Sequence, residues 1–214
     1  MRKLPRKFYN RPTIDVAIEL IGCHIVCNID GVKTGGMIVE AEAYIGEDDP
    51  ACHAFRGRTK RNEIMYGPPG YLYVYFTYGN HFMLNVVTEN KGYPSAVLLR
   101  AIEPRYNIEK MARRRGTDNW KNIGSGPGKL ARALGITTVE NGIDLCKSAV
   151  YLRGPSDGGF EIWASPRIGI GDRGNDRLWR FFTKGSAYVS PSPGQHRETS
   201  FELSLARKKK FSLA

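Results

Sequence analysis

Apolar residues follow two rhythms along this chain, and the places where the rhythm changes mark out its elements. Over PTIDVAIELIG, residues 12–22, Val16, Ile18, Leu20 and Ile21 give one apolar side, Thr13 stands where a cap belongs, and Gly22 ends the pattern, which predicts a short helix. HIVCNI and GGMIVEAEAYIG are β-rich runs joined through DGVKTG, whose Asp-Gly pair has the turn chemistry of a hairpin. From Glu47 to Gly70 the periodicity lapses into Asp, Gly, Arg and Pro, which predicts a long surface loop of a length that usually serves a function. GYLYVYFTYG, residues 70–79, then alternates: Tyr71, Tyr73, Tyr75 and Thr77 fall on one face of a strand, and Leu72, Val74, Phe76 and Tyr78 on the core face. Tyr78-Gly79-Asn80 is a turn and HFMLNVVTE the returning strand.

SAVLLRAIEP reads as a further strand stopped by Pro104, RYNIEKMARRR as a short basic helix, and GPGKLARALGI as a helix opened by Pro127 and closed by Gly135. LCKSAVYLRG, FEIWASPRIGIG, RLWRFFTKG and AYVS read as short strands between Gly-rich turns. The expected fold is α+β: a single domain over 1–214 with one curved, mostly antiparallel sheet, peripheral helices and a protruding β-hairpin. Residues 1–11 form a basic lead-in, and 191–214 a tail whose ARKKKF run is either disordered or laid along a polyanion.

Charge narrows the partners. Against 21 Asp+Glu the 214 residues carry 32 Lys+Arg, a formal charge of +11, which points to a polyanion without saying which; ribosome-associated and membrane-surface proteins share the signature. No segment approaches the roughly 20 apolar residues that span a bilayer, so no membrane partner is expected. The four cysteines have no CxxC spacing, and a reduced intracellular protein accounts for them. Cys23-His24 and Cys52-His53 make a poor zinc set, because neighbours on a strand point to opposite faces.

Two faces carry candidate chemistry. In IVEAEAYIG, Glu40, Glu42 and Tyr44 share one side of the strand, with Val39, Ala41, Ala43 and Ile45 on the other. Carboxylates in a protein that seeks anions need a purpose, such as general-base activation of water. A pair of divalent metals held by Glu40, Glu42, Asp48 and Asp49 is another, and a solvated edge without a role is the plain reading of Glu40. Tyr71 and Tyr73 have a plain reading as caps on a half-buried sheet. Tyr78 differs: a large ring at a hairpin tip of a basic protein is placed to wedge between stacked bases.

VEAEAYIGEDDPACHAFRGRTKRN, GYLYVYFTYGNHFMLN, AVLLRAIEP and GPGKLARALGI, in that order and at those separations, resemble the alkyladenine (3-methyladenine) DNA glycosylase family, monofunctional purine-excising enzymes, over about Thr13 to Ser190. The resemblance implies a monomer that binds double-stranded damaged DNA in the minor groove, inside the cell (cytoplasm or nucleoid in a bacterium), with no cofactor and no metal. It implies that Tyr78 intercalates, with Met65 as a second wedge, and that Tyr44, His53 and Tyr75 hold the flipped base between rings, while Asn85 disfavours guanine. Catalysis falls to Glu42, which deprotonates a water aimed at the sugar C1′; Arg100 and the backbone carbonyl of Ile168 help hold that water. Arg58, Arg61 and Lys129 match backbone-contacting positions.

Independent chemistry is compatible with those roles. A purine alkylated at N3 or N7 is cationic, and a flat tyrosine face attracts such a ring by about 0.5–2 kcal/mol. Loss of the base leaves an oxocarbenium-like sugar that a carboxylate stabilises, as in glycoside hydrolysis. Two other readings compete: a non-catalytic nucleic-acid or ribosome binder, and a metal-dependent nuclease built on the acidic cluster.

Overall fold

The computed structural model describes residues 2–77, 79–155, 159, 161–174 and 176–191; Tyr78 and the tail from 192 onward, with its ARKKKF run, lie outside the described residues. Two short helices, α1 (Arg6–Tyr9) and α2 (Thr13–Leu20), lead into a hairpin of β1 (His24–Ile29) and β2 (Val32–Ile45). Its turn is only Asp30-Gly31, both at positive φ (52° and 72°), the conformation that matches the twist of two-residue hairpins. A second hairpin, β3 (Leu72–Thr77) and β4 (His81–Val87), is followed by β5 (Ser95–Tyr106), α3 (Ile108–Arg115) and α4 (Pro127–Leu134). Three short strands close the fold: β6 (Val150–Arg153), β7 (Ile162–Ser165) and β8 (Arg180–Thr183).

The strands form one sheet in the order β3-β4-β5-β2-β1-β6, every pair antiparallel, with β7 and β8 attached beside β2. Strand β2 is the hub. One of its edges pairs with β5 over 35–45; the other pairs first with β1 over 32–37 and then with β8 over 40–42. The main core lies on one side of the sheet, where Val16, Ala17 and Leu20 of α2, Met111 of α3 and Leu130 and Leu134 of α4 pack on Ile25, Ile38, Leu72, Leu84 and Leu99. On the other side Tyr73 is 1% exposed and gathers Cys52, Ala54, Met65, Val87 and Ala96, with Tyr44 and Tyr75 half-buried around them. The alternation expected for Leu72 to Tyr75 is therefore present, core on one side and tyrosines on the other.

Several details differ from the pattern. Thr13 is the first residue of α2 rather than its cap; its hydroxyl meets Thr88 and Glu89, tying the helix to the end of β4. The Glu47–Gly70 stretch is not a surface loop throughout. It folds back over the tyrosine face through a 3₁₀ turn at Glu63–Tyr66, burying Cys52, Ala54, Asn62 and Met65. Buried Asn62 staples it, donating to the carbonyls of His53 and Gly57 and accepting from Thr59 N–H. Strand β5 passes through Pro104, which sits opposite Gly36 at a register shift, the kind of irregularity at which a sheet tolerates proline. Val39 is not on the face of Ala41 and Ala43. Bulges near Val39 on β2 and Arg100 on β5 change the alternation, so Val39 packs with Met37, Ala101, Tyr188 and Val189. Residues 187–190 make turns instead of a strand, and Phe76, at 47% exposure, runs past the core to meet Phe82, ring centroids 5.0 Å apart.

Candidate active site

Antiparallel register brings residues from six strands into one row: Tyr73 of β3 opposite Asn85 of β4, then Leu98 of β5, Glu42 of β2, Arg180 of β8 and Ser165 of β7. Side chains at paired positions share a face. A cavity of about 290 Å³ opens over this row, lined among others by Tyr44, His53, Met65, Tyr75, Asn85, Arg100, Ile168 and Arg173. Seven of the residues singled out in the sequence thus border one space, although they come from β2, β3, β4, β5 and two loops.

Glu42 lies directly behind that wall. It is fully buried and is gripped by three donors: the Tyr44 hydroxyl at 2.9 Å and Arg100 Nη1 at 3.1 Å on Oε2, and the Ile168 N–H at 2.8 Å on Oε1. All three donors belong to residues that line the cavity. Burial, then the negative charge of Glu42, pushes the Tyr44 hydroxyl well above its ordinary pKa, so it remains a donor to the carboxylate.

Glu40 is the larger departure from expectation, since it is neither solvated nor idle. Its Oε1 accepts from Arg100 Nε at 2.8 Å, Arg180 Nε at 2.7 Å and the Ser190 hydroxyl at 2.8 Å, and its Oε2 accepts from Ser190 N–H at 2.7 Å. Burial alone would raise its pKa, but Arg100 and then Arg180 outweigh burial and hold it below the usual value. Arg100, whose own pKa is raised by Glu42 and Glu40 against the pull of burial, is thereby fixed between the two glutamates. With Glu40 committed to Arg100 and Arg180, and Asp49 to Arg167 at 2.6 Å, the acidic residues form no common ligand set: among the described residues no group of three or more His, Cys, Asp or Glu could hold a metal ion.

His53 presents its ring at the cavity, edge-on to Tyr75 with centroids 4.4 Å apart, and its Nδ1 shares a 2.9 Å hydrogen bond with the Tyr73 hydroxyl. Its pKa is lowered to about 4, first by partial desolvation and then by Arg61 and Arg173. The ring remains accessible from the cavity, which tempers the first cause; the two cations act regardless. Asn85 Nδ2 donates to the Tyr73 carbonyl at 3.2 Å, which pins the amide at the cavity wall. Met65, expected as a wedge, is 2% exposed and forms part of the wall. Arg61 lies over the Tyr75 ring at 5.1 Å, exposed Arg58 pairs with Glu63 at 2.8 Å, and Lys129 Nζ bonds Asn122 beside Pro127 at the cavity edge.

Asp49, Asn62, Arg167, Arg173, Arg180 and Ser190 also build the site, and only Asp49 among them carries a sequence signal, as an acidic neighbour of Glu42. Arg167, Arg180 and Ser190 reach their carboxylates across 118, 140 and 150 residues, which no local pattern encodes.

An aromatic-walled cavity backed by a buried glutamate, on a basic α+β fold, has the chemistry that suits a flat, ring-shaped ligand attached to an anionic chain. A family model described as methylpurine-DNA glycosylase matches residues 7–187. A protein of Chlorobaculum tepidum with the provisional name 3-methyladenine DNA glycosylase is 47% identical over 95% of this chain and 100% of its own length. Relatives provisionally given the same name from Methanocella arvoryzae (46% identical, 91% of this chain and 99% of the relative) and Desulfitobacterium hafniense (44%, 89% and 99%) are similar. The chain belongs to the methylpurine-DNA glycosylase family.

Proposed function

We propose that this protein is a DNA repair enzyme that receives a damaged purine, flipped out of duplex DNA, in the cavity between Tyr44, His53 and Tyr75, and hydrolyses its N-glycosidic bond to leave an abasic site. The observation that carries the reading is the grip on Glu42. A carboxylate offers about four acceptor positions, and three are filled by Tyr44, Arg100 and Ile168 N–H, all from the cavity wall. The remaining position suits one water at the seam between those three residues. As the bond from C1′ to the base nitrogen breaks, its electron pair leaves with the base. Glu42 stabilises the cationic sugar; the water then forms the new C1′–O bond and gives its proton to Glu42. A base alkylated at N3 or N7 departs neutral, whereas a neutral base such as hypoxanthine must gain a proton, at N7, as it departs.

Damaged DNA is the substrate, approached from the minor groove by a monomer, with Tyr78 as the wedge and Arg58, Arg61 and Lys129 along the backbone. Met65 acts from within the cavity wall, and Asn85 sets its amide against the 2-amino group of guanine.

The test is release of free base from duplex oligonucleotides carrying 7-methylguanine, hypoxanthine or ethenoadenine, in the presence of EDTA. Wild type should release base and leave alkali-labile sites. Glu42→Gln should bind lesion duplex within a few-fold of wild type, while its single-turnover rate drops by about 10²–10⁴-fold. No release by wild type, or a variant that excises normally, would overturn the reading; the second result is what a non-catalytic binder predicts.

A further inference from the structure

Asp49 and Arg167 are buried opposite charges that take no direct part in the chemistry above. Asp49 is fully buried and Arg167 is 2% exposed. They form a bidentate pair, Arg167 Nη1 to Oδ2 at 2.6 Å and Nη2 to Oδ1 at 2.7 Å. A pair this deep recovers little net stability, because desolvating two charges costs about as much as their attraction returns, and here the Arg167 Nε also lacks a hydrogen-bond partner among the described residues. Its position suggests another use.

Three segments meet at the pair, and each carries a wall of the cavity. Arg167 Nη1 also donates to the Ala43 carbonyl at 2.9 Å, on the peptide that joins Ala43 to Tyr44. Its guanidinium stacks over the Tyr44 ring at 4.6 Å and the Trp179 ring at 5.1 Å. Asp49 accepts from Ile45 N–H at 3.2 Å and Ala51 N–H at 3.1 Å, which fixes the turn leading to His53. Arg167 directly precedes Ile168, whose N–H holds Glu42 at 2.8 Å. Shifting this ion pair would therefore move the general base, the Tyr44 ring and the approach to His53 together.

We propose that Asp49 and Arg167 are positioning residues that set the aim of Glu42 and the tilt of Tyr44, an inference that rests on the reading of the cavity as the base site. Geometry at this level governs rate steeply, since a misplacement of about 1 Å costs on the order of 10²-fold. Binding depends on it less, because the DNA-backbone contacts lie elsewhere.

Asp49→Asn, Arg167→Lys and the double variant test this, with Leu152→Ala in β6 as a control that weakens the fold far from the site. Single-turnover excision should fall by about 10–100-fold in each single variant, while lesion-duplex affinity changes by less than about three-fold. The double variant should be no slower than the slower single, since both changes break one unit. Leu152→Ala should excise at the wild-type rate per folded molecule. A second readout is independent of activity: hydrogen exchange of the Ile168 amide should lose at least about ten-fold protection in Asp49→Asn, while the β1 and β6 amides keep theirs. Near-normal excision with an unchanged Ile168 amide would overturn the proposal, as would losses that match those of Leu152→Ala. If wild type itself releases no base, the functional reading fails, and the Ile168 amide still decides whether the pair positions Glu42.

Discussion

Arg173 adds to the cavity wall a positive charge that a set of aromatic rings alone would lack. Cation–π attraction argues for charged, alkylated purines, yet both tyrosine rings already face a guanidinium: Arg167 is over Tyr44 at 4.6 Å and Arg61 over Tyr75 at 5.1 Å. The buried carboxylates Glu40, Glu42 and Asp49 are matched by Arg100, Arg167 and Arg180. Arg61 and Arg173 have no ion-pair partner among the described residues, and Arg173 lines the cavity, its Nε on the Ile170 carbonyl at 3.1 Å. A free cation there repels a cationic base by about 1–2 kcal/mol at the effective dielectric of a partly solvated site. Arg173→Gln should therefore raise the ratio of 7-methylguanine to hypoxanthine excision by roughly 5-fold, the equivalent of about 1 kcal/mol. Single-turnover rates on the two duplexes measure it, and an unchanged ratio would show that the rings and Glu42 alone set the balance.

Strand β2 runs between β1 and β5 because two glycines allow both neighbours to approach. A Cβ on Gly35, at φ +148°, would lie 2.1 Å from the Ile25 carbonyl oxygen, and one on Gly36 would lie 2.1 Å from that of Glu103. Neither backbone can yield without opening the sheet beside the glutamates. Gly36→Ala should cost about 2–3 kcal/mol, read as a fall in Tm of roughly 4–12 °C for a chain of this size. Gly31→Ala, at φ +72° with nothing within 4 Å, should cost only the local strain of about 1–2 kcal/mol; equal losses at the two positions would refute the crowding argument. The same strand shows what a sequence can convey. Period two placed Tyr73 and Tyr75 opposite Leu72 and Val74, and the Asp-Gly turn and the Pro127 to Gly135 helix were legible because each depends on neighbours in the chain. Val39 was not, since a bulge adds a residue without changing composition, and Pro104 signalled a stop only because its strand partner, Gly36, was unknown. Glu42, Arg100 and Ile168 were found together through motif order, whereas Arg180, Arg167 and Ser190 meet their carboxylates only through tertiary folding.

Acid should loosen the whole molecule in a defined window. Two histidines are held below their ordinary pKa of 6.5: His24 at about 4, by burial and then by Arg153 and Arg105, and His53 at about 4, by desolvation and then by Arg61 and Arg173. Between pH 6.5 and 4 the unfolded chain takes up protons at both positions while the folded one resists. The unfolded state then binds more protons, and stability falls as pH drops through that range. Below about 4.5 the lowered pKa of Glu40 adds a loss of the same sign, because the folded glutamate resists a proton that the unfolded one accepts. A formal charge of +11 at neutrality means that each further proton also adds repulsion, so nothing in the charge balance opposes the trend. Tm should decline steadily from pH 6.5 to 4.5; His24→Gln with His53→Gln should flatten that segment and leave the steeper fall below 4.5. A Tm that rises on acidification to pH 5 would overturn the account, and a decline of the same slope in the double variant would remove the histidines from it and leave protonation of the carboxylates as the cause.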